Sequence, residues 1–113
     1  MNPLEMARER NSLRGKKNRA NGEAFERLIL NHELKNSIFA LRSSGSYGPI
    51  DVTSQKKNGE VWYISAKRNG YFHSKELASL KKIKAAVEKR NKMAKFKLAY
   101  YVSQKVWKYE NLK

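Results

Sequence analysis

Asp51 and Lys67 flank a stretch, Ile50–Lys67, that reads as a β-hairpin, and a helix before it carries Glu26. An acid and a lysine on neighbouring strands are half of what metal-dependent phosphodiester hydrolysis requires. That chemistry needs carboxylates to hold a divalent ion, a polarised water, and a cation near the attacking or phosphoryl oxygens. Ser65 sits two positions before Lys67. A two-residue step along a strand, about 6.6–6.8 Å, keeps both side chains on one face. The place where such a site would want a second carboxylate thus holds a hydroxyl. Taken singly, each residue also has an ordinary use: Asp51 capping a turn, Lys67 as one of many surface lysines, Glu26 paired on a solvated helix face.

The elements that must position these residues can be read along the chain. Phe25, Leu28, Ile29 and His32 recur at i, i+3, i+4 and i+7, which predicts a helix over about residues 22–35 with that stripe buried. Asn21 is an acceptable N-cap and Asn36-Ser37 a stop. Ile38–Leu41 reads as a first strand, RSSGSYGP (42–49) as a loop, and Ile50–Thr53 as a second strand. Asn58-Gly59 is a strong hairpin signal. The third strand, Glu60–Lys67, alternates, with Trp62, Ile64 and Ala66 on one face and Val61, Tyr63, Ser65 and Lys67 on the other. Ser74 is a good N-cap for a second helix, with Leu77, Leu80, Ile83 or Lys84, and Val87 tracing a stripe to about residue 92. Phe96–Ser103 and Val106–Asn111 close the chain as two more strands. The predicted order is α-β-β-β-α-β-β.

The 113 residues fit one domain, with 1–21 read as a basic N-terminal arm and 22–113 as the folded unit. Lys and Arg total 25 against 10 acids, a net charge of +15 that calls for a polyanion, and nucleic acid is the commonest one in a cell. The arm holds Arg14, Lys16, Lys17 and Arg19 among its basic residues, and residues 81–97, opening with Lys81 and Lys82, carry eight Lys/Arg against Glu88 alone. Arg68 adds a charge beside Lys67. No apolar run is long enough to span a membrane, and no apolar segment follows the charged N-terminus as in a secretory signal, so a cytoplasmic protein is expected. The absence of cysteine excludes disulfides and thiolate metal sites. His32 and His73 lie 41 positions apart without a supporting motif, which argues against a histidine-based nuclease.

Gly22-x-x-x-Glu26-Arg27, the loop Arg42-Ser43-Ser44-Gly45-Ser46, Asp51 six residues beyond Gly45, and then Lys67 occur in one order over about residues 20–112. In this pattern the chain resembles the archaeal Holliday junction resolvases, a branch of the PD-(D/E)xK nuclease superfamily. The resemblance implies an α/β, restriction-endonuclease-like single domain with a central mixed five-stranded sheet flanked by helices. It also implies a homodimer that cleaves four-way or other branched DNA with Mg²⁺, for which Mn²⁺ can substitute, and with no small-molecule cofactor. By position, Glu26 is then the helical acid at the metal, Asp51 the principal metal ligand, and the Ala66 carbonyl a further metal oxygen. Lys67 orients the attacking water, and Arg42, Ser43, Ser44 and Ser46 hold the strand near the cut.

The departure is Ser65-Ala66-Lys67, where the family usually reads Glu-x-Lys. Magnesium favours carboxylate oxygen, so the serine should weaken the site. Glu60 is a poor replacement, five residues and roughly 16 Å away on the opposite face; Glu76 and Glu23 remain open as replacements. Three functions are therefore expected in descending order: a metal-dependent structure-selective endonuclease, a DNA-binding protein with weakened or lost chemistry on the same scaffold, and a small basic RNA- or chromatin-binding protein.

Overall fold

The structure is a computed structural model that describes residues 22–43 and 48–113. The arm over 1–21, with Arg14, Lys16, Lys17, Arg19 and the expected cap Asn21, lies outside the described residues, as do Ser44 and Ser46 of the loop. A helix α1 covers residues 22–36. It is followed by β1 (Phe39–Arg42), β2 (Val52–Gln55), β3 (Val61–Ala66), helix α2 (Ser74–Glu88), β4 (Ala94–Tyr101) and β5 (Trp107–Asn111). The five strands form one mixed sheet in the order β1-β2-β3-β4-β5. All neighbours are antiparallel except β3 and β4, which run parallel. Parallel neighbours need a crossover, and α2 supplies it. The predicted element order and the mixed sheet are what the structure contains.

The turn between β2 and β3 is the one that Asn58-Gly59 predicts. Gly59 takes φ of +94°, a left-handed conformation that costs a side-chain-bearing residue free energy. The Lys56 N–H donates to the Glu60 carbonyl at 2.8 Å and closes the hairpin.

The alternation predicted for β3 separates two cores. On one face Ile64 and Ala66 join Val52, Ala99, Phe25 and Ile29, so α1 covers this side. On the other, Leu80 of α2 packs on Ala94, Phe96, Leu98 and Leu112, with Tyr63, Leu77, Ile83 and Val87 around them. Each helix thus buries a stripe on its own face of the sheet, the arrangement that hides the apolar surface of both.

Several local expectations are corrected. The buried stripe of α1 is Phe25, Ile29 and Glu33, at i, i+4 and i+8, whereas Leu28 is 38% exposed and His32 lies outward. The helix is rotated because Glu33 is satisfied inside: it accepts from Lys56 Nζ at 2.6 Å and from the Tyr109 hydroxyl at 2.8 Å. Burial raises the Glu33 pKa, but these hydrogen bonds and the Lys56 charge outweigh it and leave the carboxyl below its ordinary value. The first strand begins at Phe39 rather than Ile38, and the second at Val52 rather than Ile50. The cap of α2 is His73, whose Nδ1 accepts from the Lys75 N–H at 3.1 Å; the helix ends at Glu88 instead of about residue 92. β4 begins two residues earlier than expected, at Ala94, where Leu80 and Phe96 keep the strand anchored.

Candidate active site

Asp51 lies one residue before β2, and Lys67 one residue after β3, so both stand where the two strands end. The ladder is offset there: Val52 is the register partner of Ile64, while Asp51 also donates its N–H to the Ile64 carbonyl, at 2.8 Å. That offset, like a bulge, lets the Asp51 carboxylate accept from the Ala66 N–H at 2.7 Å. Ala66 is thereby fixed against Asp51 through its amide.

The strand ends open into a cleft of about 980 Å³. Glu26 from α1, Asp51, Lys67, and Glu76 from the first turn of α2 all line it. Arg42, Ser43, Glu23, Lys75 and Ser79 complete most of the wall. Glu26 is held by Arg42 Nη1 at 3.4 Å, and Glu76 Oε2 lies 3.4 Å from Lys67 Nζ. The carboxyl between them is perturbed. Burial pushes Asp51 up to about 6; the Ala66 hydrogen bond opposes this, the charge of Glu26 adds to it, Lys67 opposes it and Glu76 adds to it. A carboxyl destabilised by burial and by two neighbouring acids is a group that gains from a cation.

Of the residues singled out from the sequence, Glu26, Arg42, Ser43, Asp51 and Lys67 are brought together at this cleft. Ser65 is not on its wall. It is 1% exposed, and its Oγ has no hydrogen-bond partner. Arg68 is exposed, with its guanidinium 5.8 Å from the Tyr101 ring centroid. Lys81 and Lys82 are exposed on α2. Glu60 is engaged by Asn58 and the Trp62 indole, away from the cleft, as its position on the strand implied. Sequence reasoning passed over Lys75 and Ser79 of the wall. The signal was available, since residues 75, 76 and 79 share the first turn and a half of a helix capped at His73.

A divalent cation suits this donor set in kind: oxygen donors, a buried acid whose charge is poorly satisfied, and one buried acid oxygen without a hydrogen-bond partner, Glu76 Oε2. Among the described residues, no three His, Cys, Asp or Glu side chains already stand close enough to enclose an ion. The acids converge on one cleft and two of them are occupied by cationic side chains.

No protein-family model matches the chain, and no curated protein matches its sequence. The fold, a five-stranded mixed sheet with two helices, has a counterpart among solved structures. The structure is similar to that of Hjc from Archaeoglobus fulgidus, a Holliday junction resolvase from an archaeal hyperthermophile. The TM-score is 0.62 with 19% sequence identity, covering 81% of this chain and 73% of that one. Among the described residues, no helix is long and apolar enough to cross a membrane.

Proposed function

We propose that the protein is a metal-dependent endonuclease that acts on four-way or otherwise branched DNA as a homodimer inside the cell. The observation that carries this reading is the convergence of Glu26, Asp51 and Lys67 on one cleft at the ends of β2 and β3. The similarity of fold to a Holliday junction resolvase supports it.

Asp51 and Glu26 would hold the cation, with the Ala66 carbonyl as a third oxygen. Bound Mg²⁺ or Mn²⁺ supplies Lewis-acid polarisation of the phosphate and a nucleophile at neutral pH. The chain's own residues do the rest. The Ala66 N–H orients the Asp51 carboxylate toward the cleft edge. Lys67 Nζ, held by Glu76 in this arrangement, brings a positive charge to the place where phosphate charge increases during cleavage. Arg42, leaving Glu26, and Lys75 line the same wall and contact the strand near the cut. Arg68, Lys81 and Lys82 grip the duplex arms by phosphate contact, joined by the basic arm over residues 1–21 with Arg14, Lys16, Lys17 and Arg19. Ser43, Ser44 and Ser46 hold the strand from the loop. Such contacts confer affinity without base sequence. Two sites, one per subunit, then cut opposing strands.

The test is cleavage of a synthetic four-way junction against linear duplex, with Mg²⁺, with Mn²⁺ and with chelator. Paired nicks that disappear in chelator and in Asp51→Ala are expected. One observation favours a second reading, a junction-binding protein without efficient chemistry: Ser65 stands where a carboxylate would serve the metal. Tight junction binding with no nicks under either metal selects it. Preference for RNA with no preference for branches refutes both.

A further inference from the structure

Ser65 Oγ and Glu76 Oε2 are the two buried side-chain polar atoms without a hydrogen-bond partner among the described residues. Glu76 lines the cleft with Asp51 and Lys67, and Lys67 Nζ is 3.4 Å from that oxygen of Glu76. The contact is an ion pair without hydrogen-bond alignment, so the oxygen is attracted but not satisfied. Buried polar groups are nearly always paired, so an acid oxygen without a hydrogen bond on a wall shared with Asp51 is suited to a cation.

Ser65 offers a hydroxyl and no carboxylate, and it does not line the cleft. Glu76 reaches the cleft from the opposite element. The turn after β3 folds back at Gly70, whose N–H donates to the Lys67 carbonyl at 3.0 Å. The His73 cap then starts α2 with Glu76 in its first turn, facing Lys67. Glu76 is also close enough to Asp51 for its charge to act on that carboxyl. Glu23, another acid on the wall, lies in α1 one turn before Glu26 and is exposed, whereas Glu76 is half-buried and paired with Lys67.

We propose that Glu76 is the carboxylate that β3 lacks, so that Asp51 and Glu76 together hold the divalent cation. This rests on the nuclease reading above, in which Glu26 and Asp51 face the cation, and adds to it the source of the carboxylate absent from β3. Lys67 is ion-paired with Glu76; a Glu76 carboxylate turned toward a cation would leave that ammonium free for the phosphate.

The experiment is calorimetric titration of the full chain with Mn²⁺, comparing wild type, Glu76→Gln, Glu23→Gln and Asp51→Asn, with junction binding in chelator measured alongside. Glutamine keeps the shape of Glu76 at a half-exposed helical position, and a thermal melt verifies folding. Glu76→Gln is expected to weaken Mn²⁺ binding by at least about tenfold, comparably to Asp51→Asn. Junction binding in chelator is expected not to weaken, and Glu23→Gln is expected to bind Mn²⁺ as wild type does. Wild-type Mn²⁺ affinity in folded Glu76→Gln overturns the inference, and if wild type still cuts junctions the nuclease reading survives. Loss in Glu23→Gln instead assigns the acid to α1 and overturns it equally. A wild-type chain that neither takes up Mn²⁺ nor cuts refutes both.

Discussion

Replacing Asp51 by Asn should make the metal-free protein more stable. Burial, with the charges of Glu26 and Glu76, holds this carboxyl at about 6 against an ordinary 3.8. Each unit is worth about 1.4 kcal/mol, so keeping the group ionised in the folded state costs about 3 kcal/mol above both values. Asparagine removes the charge but still buries a polar amide and weakens the charge-assisted bond from the Ala66 N–H, which leaves a net gain of about 2 kcal/mol. The sign with pH follows from the direction of the shift. Folded Asp51 holds its proton more tightly than the unfolded chain does. Its contribution to wild-type stability is therefore most favourable below the unfolded value and declines as pH rises to about 6. The advantage of Asp51→Asn is thus expected in full at about pH 8 and should fade toward about pH 4. Urea melts in chelator at those two pH values measure it; in a thermal scan the difference at high pH is roughly 10 °C. An Asn variant no more stable than wild type at high pH, or equally stabilised at both, refutes the account of Asp51 as a strained acid. On the nuclease reading the same variant should not cut junctions, so stability and cleavage would oppose each other at one side chain.

Glu33 has the opposite sign. Its carboxyl lies below the ordinary value, so its stabilisation is present above the unfolded value and is lost as pH falls through the folded one. Glu33→Ala leaves Lys56 Nζ and the Tyr109 hydroxyl facing an empty, buried site, and should cost about 3 kcal/mol in a denaturant melt at neutral pH. Gly70→Ala should cost about 1–2 kcal/mol: φ is +76°, and an added Cβ would stand 3.3 Å from the Tyr100 ring, behind the turn that carries Lys67 toward α2. Ser65→Ala removes an unsatisfied buried hydroxyl and should be neutral or stabilising by up to about 1 kcal/mol in the same melt. Ser65→Glu should lower the Mg²⁺ concentration needed for junction cleavage; a fall in activity at saturating metal would show that the serine is integral to a rebuilt site.

The strands were readable because their signals are local. Asn58-Gly59 allows few turns, and the alternation of Trp62, Ile64 and Ala66 against Tyr63 and Ser65 assigns each residue a face before any partner is known. The convergence of Glu26, Asp51 and Lys67 was legible only through the order of several motifs at once, since any one of them fits an ordinary surface. The face of α1 was misjudged for a physical reason. A buried glutamate has the composition of a surface residue, and its partners Lys56 and Tyr109 lie 23 and 76 positions away, beyond any periodic signal. Glu76 is a similar case. Its approach to Lys67 depends on how residues 67–73 turn back, which the strand pattern leaves open, so spacing could nominate it beside Glu23 without choosing between them.

The two cores also have a bearing on how the cleft responds to heat. Glu26 arrives from the helix on one face of the sheet and Glu76 from the helix on the other, with Asp51 and Lys67 at the strand ends between them. The separation of the acids is therefore a sum of two independent packing distances, one through Phe25 and Ile29 and one through Leu80 and Leu77. Loosening of either layer spreads the carboxylates while the sheet itself stays intact. On warming, the carboxylates of the cleft should move apart before the backbone ladder melts, and a methyl group removed from either core should be registered at the strand ends as a change in spacing.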